Sequence, residues 1–212
     1  MPNWCDNSVT ITGPNSVIDK IEKIVKEENS DNGLLNFMFP MPAELKDTTA
    51  DGKKNEYMEK KYGHSDWYTW ACDSWGTKWE ICEFYGMDRQ YLTEQNEGES
   101  TITFGFQSAW SPPIGAYENF LSENEECSLK AYYYEGGCDF MGVWDNGDDI
   151  CEQPSSYNSQ SDFWTNGLGQ DLDDLFNITE PMAEWEQEQM DEGAIKVKNY
   201  VNGEPQNVKE DA

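Results

Sequence analysis

Twenty-eight excess negative charges share this 212-residue chain with 29 aromatic side chains. That pairing constrains the fold more than any motif. An acidic chain poor in aromatics stays unfolded because it cannot bury enough apolar surface to offset the entropy of ordering. One Phe, Trp or Tyr in about seven residues removes that obstacle, so the chain reads as one domain, or one with an appendage. The same charge excludes direct nucleic-acid binding, which needs a basic footprint, and disfavours anionic membrane surfaces.

The opening Met1-Pro2-Asn3-Trp4-Cys5-Asp6-Asn7 has neither the basic nor the apolar stretch of a secretory signal. No apolar run approaches the roughly 18 residues of a membrane span. The expectation is therefore a cytoplasmic protein whose six irregularly spaced cysteines are reduced and mostly buried.

Periodicity organises the first two thirds. Ser8 to Thr12 alternates with Val9 and Ile11 on one face, which predicts a strand. A turn follows, then Val17, Ile18, Ile21, Ile24 and Val25 at helical spacing. An insertion over about 30–78 holds an apolar segment at 34–40, a lysine-rich stretch at 43–62 and a short helix bearing Trp67 and Trp70. Strands are predicted at Trp79–Tyr85, Thr101–Gln107, Ser128–Tyr134 and Phe140–Trp144, and a helix from Ser111-Pro112-Pro113 to Glu126. The order β-α-(insertion)-β-β-α-β is that of a ferredoxin-like α+β sandwich over residues 1–146. Residues 147–212 read as an acidic, partly ordered extension: a polar loop or linker over 153–170, a helix from Thr179 that carries Trp185 and packs on the body, and a last strand or clasp from Ile195, Val197, Tyr200 and Val201.

Three short motifs stand out: Met1-Pro2-Asn3-Trp4-Cys5-Asp6-Asn7, Trp75-Gly76-Thr77-Lys78-Trp79-Glu80 and Ser108-Ala109-Trp110-Ser111-Pro112-Pro113. In this order they resemble the landmarks of the YubB-type ferredoxin-like domain proteins of plasmids and bacteriophages. Tyr134-Glu135-Gly136-Gly137 with Phe140-Met141-Gly142 looks like that family's turn after the fourth strand. The resemblance covers roughly residues 1–146 and implies the fold and a mobile-element origin, but no activity. Physically, large rings at strand and helix junctions close the open end of a sheet. The functional alternative is a small-ligand or enzyme cleft lined by Trp75, Trp79 and Trp110, with Lys78, Asp73 and Thr77 at its mouth.

No catalytic motif is present. His64 is the sole histidine, and the chain lacks C-x-x-C, P-loop, G-x-S-x-G and G-x-G-x-x-G patterns. Gly147-Asp148-Asp149 reads as a polar turn, and Asp145, Gly147 and Asp149 lack the closing Glu of a calcium loop. Carboxylates are too numerous to nominate a dyad, so no enzyme, metal or cofactor is expected.

Charge is unevenly spread. Residues 1–98 carry a net −8, while residues 99–195 hold 21 acids and one base, Lys130. Packed like charges destabilise a fold through self-repulsion. A solvated face accounts for them, as does an interaction surface: carboxylates on a rigid face can imitate phosphates and occupy a basic groove of a host nucleic-acid-binding protein. On the second reading the contact residues are Asp171, Asp173, Asp174, Glu184, Glu186, Glu188, Asp191 and Glu192.

Overall fold

The computed structural model describes residues 3–27, 33–81, 83–92 and 98–191, with the backbone alone of 199–201 and 204–206. It is an α+β protein built on a six-stranded antiparallel sheet. β1 (Trp4–Pro14) leads into α1 (Asn15–Glu27). Four short helices follow: α2 (Leu34–Met38), α3 (Ala43–Lys46), α4 (Glu56–Tyr62) and α5 (Trp67–Ser74). Then come β2 (Phe84–Tyr91), β3 (Glu99–Ala109), α6 (Ile114–Glu123), β4 (Ser128–Glu135), β5 (Phe140–Asp145) and β6 (Asp148–Glu152). The spatial order is β2-β3-β1-β4-β5-β6.

Two-residue alternation sorts the central strands into two faces. On one, Val9 pairs with Phe104 and Ala131, and Ile11 with Ile102 and Leu129; all are buried. α1 covers this face with Val17, Ile18, Ile21 and Val25, and α6 with Ala116, Tyr117 and Phe120. α2 and α5 pack on α6 from outside, carrying Leu34, Leu35, Met38, Trp70 and Ala71 into the same core. The lysine-rich α4 has no fully buried residue and meets the core only with partly buried Met58 and Tyr62.

The chain's single arginine joins β2 to α1. The Arg89 side chain, 6% exposed, pairs with Asp19 at 2.8 Å and with Glu22, and donates to Asn15 Oδ1. A buried guanidinium needs such carboxylates, and removing them would leave its charge uncompensated.

The second face carries the C-terminal layer over β4 and β5. Two 3-10 turns (Pro154–Ser156, Asp162–Thr165) precede α7 (Gly167–Phe176) and α8 (Thr179–Asp191). Met141, Trp164, Leu172 and Ile178 form a second, smaller core, flanked by Tyr132, Tyr134, Tyr157 and Phe163. Over β1 and β3 this face is polar: Thr10 bonds Thr103, and Thr12 bonds Thr101.

Several expectations change. The strand expected at Trp79–Tyr85 begins only at Phe84, because Trp79, Glu80 and Ile81 are drawn into the insertion's packing. Of the two readings of 153–170 the loop holds up to Asn166, with two short 3-10 turns anchored by stacked Tyr157 and Phe163, ring centroids 3.9 Å apart, and α7 begins at Gly167. α8 does pack on the body, but through Met182 and the bonds of Glu186 to Ser159, while Trp185 is 56% exposed. Among the described cysteines only Cys5 is buried, while Cys138 and Cys151 are exposed. The sheet runs on through the hairpin at Asn146 and Gly147, where the composition shifts. β7 (Asn199–Val201) and β8 (Glu204–Gln206) form a separate pair, and Cys82, Glu192, Ile195 and Val197 lie outside the described residues. No described helix is long and apolar enough to cross a membrane.

Candidate functional site: a junction of three motifs and an acidic helix pair

The three sequence motifs converge at one end of the sheet. Asn7, fully buried in β1, donates from Nδ2 to Cys5 O at 2.8 Å and Ser108 Oγ at 2.9 Å. Ser108 Oγ in turn donates to Ser111 O, and Thr77 Oγ1 donates to Ala109 O at 2.8 Å. Ser111 Oγ donates to Gly76 O. Gly76 has φ 86°, and a Cβ there would sit 3.3 Å from Pro112 O, so glycine serves both the left-handed turn and the close approach. Glu80 ends the second motif by accepting from the Leu35 and Asn36 N–H groups, which caps α2. Burial pushes its carboxyl above the usual range, and the backbone N–H groups pull the other way. These residues lock insertion, sheet and α6 together.

The expected tryptophan cleft does not assemble. Trp75 is 4% exposed in the main core, edge-on to Trp70 at 5.3 Å, with its Nε1 donating to Phe39 O. Its ring packs between Trp70 of α5 and the chain at Phe39 and presents no wall to a ligand. Lys78, Trp79 and Trp110 lie instead at the surface. Lys78 Nζ sits 4.5 Å from the Trp79 ring centroid and 5.7 Å from that of Tyr68. Trp79 meets Trp4 at 6.3 Å. Trp110 follows β3 with φ 74°, its N–H donating to Asn3 O. Two open depressions of about 480 Å³ lie elsewhere, one between α1 and α2 around Ile24, Phe37 and Pro40, the other beside α4. Tyr68, which nothing in the sequence singled out, joins this surface because α5 turns it outward while burying Trp70.

The acidic residues divide by role. Asp173 accepts from the Thr179 N–H at 2.7 Å and hydroxyl at 2.8 Å, closing the α7–α8 turn. Glu186 accepts from Ser159 N and Oγ and ties α8 to the preceding loop. Asp171 takes the Tyr132 hydroxyl at 2.7 Å, fastening α7 to β4. Asp174, Glu184 and Glu188 are exposed, and Asp191 meets only Gln187 of its own helix. At 100° per residue, Glu180, Glu184, Glu188 and Asp191 fall within about 80° of one another on α8. They lie opposite the partly buried Met182, Glu186 and Gln189. Glu180 belongs to this stripe although it was not among the expected contact residues; its i, i+4 spacing to Glu184 was the available signal. Every ion pair among the described residues joins side chains between 19 and 89, so none neutralises the stripe.

Nucleophile chemistry finds little support. Burial drives the Cys5 thiol strongly upward, away from thiolate character. Burial likewise raises Cys72 and Cys127, and a neighbouring Glu135 raises Cys138. His64 faces exposed Asp73 at 3.5 Å. Among the described residues no three His, Cys, Asp or Glu side chains are grouped to hold a metal ion.

No family model and no curated protein matches the chain. It is similar to a solved structure, the crystal structure of a protein api92 from Yersinia pseudotuberculosis, of the family DUF1281. The TM-score is 0.39 at 12% identity, covering 72% of this chain and 98% of that one. A likeness at that level carries no argument about this protein's activity.

Proposed function

We propose that this chain is a non-enzymatic binding protein whose acidic α7–α8 surface imitates a nucleic-acid backbone and occupies a basic host protein. In this reading β1 to β4 with α1 and α6 are a ferredoxin-like core, consistent with the order β2-β3-β1-β4 and the two helices on one face. The extra strands and the C-terminal layer are then an elaboration that carries the binding surface. The YubB-type resemblance, a plasmid or phage origin and a bacterial cytoplasmic setting belong to the same proposal.

The observation that carries it is the outward stripe of α8. Its four carboxylates, Glu180, Glu184, Glu188 and Asp191, lie on a 13-residue helix about 20 Å long at 1.5 Å per residue, which gives one charge per ~5 Å. A nucleic-acid strand carries one per ~3.4 Å of axis. The stripe therefore comes within a factor of about two of the charge density of a strand on a rigid support, and no ion pair among the described residues neutralises it.

Capture from bacterial lysate tests this. A nucleic-acid-binding protein should be retained at low salt, released at high salt and displaced by duplex DNA. Recovery of no basic partner, or a partner indifferent to DNA, overturns the proposal. The triple variant Glu184→Gln, Glu188→Gln, Asp191→Asn should slow association by roughly tenfold or more, since steering depends on these charges.

A further inference from the structure

The surface where the three motifs meet has a second feature, separate from the acidic helices. Trp4 and Trp110 are each 45% exposed and Tyr68 is 40% exposed. With rings of roughly 250 Å² each, these three together leave on the order of 300 Å² of aromatic surface in water. The rings are linked: Tyr68 to Trp79 through Lys78, Trp79 to Trp4 directly. Trp110 stands one residue beyond Ala109, the β3 partner of Trp4.

Two physical facts point to a ligand. Trp110 holds a left-handed backbone that costs a bulky residue about 1–2 kcal/mol, yet its ring is not sunk into the core in return. Meanwhile the faces of Trp79 and Tyr68 already hold a cation, Lys78 Nζ, at cation–π distances. The rings therefore accept positive charge where they stand, and the occupant seen is supplied by the chain itself. Any approaching macromolecule meets a protein of net charge −28, which favours cationic partners. Asp6 lies two residues from Trp4 on the same face of β1, about 7 Å along the strand, and holds only Gln107. A guanidinium suits this set better than an ammonium, because it is planar, weakly hydrated and able to meet a carboxylate edge-on while stacking on a ring.

We propose that Trp4, Tyr68, Trp79 and Trp110 form an aromatic docking ridge for an arginine-bearing segment of a protein partner, and that Lys78 is an internal occupant which the arginine displaces. The ridge does not depend on the acidic stripe of α8.

The test uses the full chain in 0.5 M salt, where the screening length is about 4 Å and long-range attraction to the acidic helices is suppressed. The probe is an end-blocked Arg-Gly-Arg peptide, with its citrulline counterpart as the neutral control. The indole N–H signals of Trp4, Trp79 and Trp110 should move in two-dimensional NMR spectra, while those of buried Trp70, Trp75, Trp144 and Trp164 stay. Lys78→Met should tighten binding of the arginine probe threefold or more by removing the internal competitor. Glu184→Gln, Glu188→Gln, Asp191→Asn should leave it within twofold. No shift at the three ridge indoles, equal shifts with citrulline, weaker or unchanged binding in Lys78→Met, or loss of binding in the α8 variant each overturns the proposal. Because the α8 variant is the readout for the acidic surface, failure of one idea is separable from failure of the other.

Discussion

The two faces of the sheet are held by different means. Beneath α1 and α6 lies a continuous apolar core running from Cys5 to Trp144, and every described ion pair decorates this half or its insertion. The opposite face, under α7, has four buried residues and a border of tyrosines. There, carboxylates replace cations as fasteners, with Asp171, Asp173 and Glu186 each accepting from a hydroxyl or backbone N–H. The contrast teaches that a region can be both strongly acidic and ordered. Its negative groups are then partly satisfied as hydrogen-bond acceptors, and the remainder faces water.

The largest break in this comparison should come from the main core. Phe104→Ala deletes a ring that Phe84 and Phe106 both touch and should lower unfolding free energy by about 3–5 kcal/mol, read from urea denaturation. Leu172→Ala in the smaller core should cost about 2–3 kcal/mol. Its effect should appear chiefly as faster amide hydrogen exchange in 154–191, with β1 and β3 still protected; equal loss of protection in both faces would show one cooperative unit instead.

Asp173→Ala should cost about 1 kcal/mol, since it strips the acceptor from the first N–H of α8. Asp174→Asn, with no structural acceptor role, should change stability by less than about 0.5 kcal/mol. A comparable loss from both would erase the distinction between fastening and outward carboxylates.

The smallest effect is one of pH. Hydrogen bonds from Lys26 and Arg89 hold the Glu22 carboxyl below its ordinary value. Its contribution is therefore complete above the usual carboxylate range and is lost as pH falls through the depressed value. The stability difference between wild type and Glu22→Gln should shrink toward zero on going from pH 6 to the acid limit. A difference that persists would mean that Glu22 acts through packing.

How much was legible follows from the range of each signal. α1 was visible because its apolar positions repeat every three to four residues, and β1, β3 and β4 because theirs alternate. The second strand was misplaced by several residues: Trp79, Glu80 and Ile81 alternate like a strand, but Glu80 holds α2, Trp79 meets Trp4 of β1 and Ile81 joins the main core. Trp75, with a structural reading and a cleft wall as its alternative, is buried, and Trp185, on the helix expected to pack on the body, is exposed. A tryptophan's type states how much area it can bury; its surroundings, distant in sequence, decide whether it does.

By itself, then, the sequence determined the α+β class, the first helix, most of the sheet and the concentration of charge after residue 99, all set by local periodicity and composition. Only the tertiary structure decided which carboxylates fasten α7 and α8 and which face outward, and that the three tryptophan motifs meet at one end of the sheet. Those outcomes rest on pairings between distant residues, such as Asn7 with Ser108, 101 positions apart, where the identity of one residue places no limit on where its partner will come from.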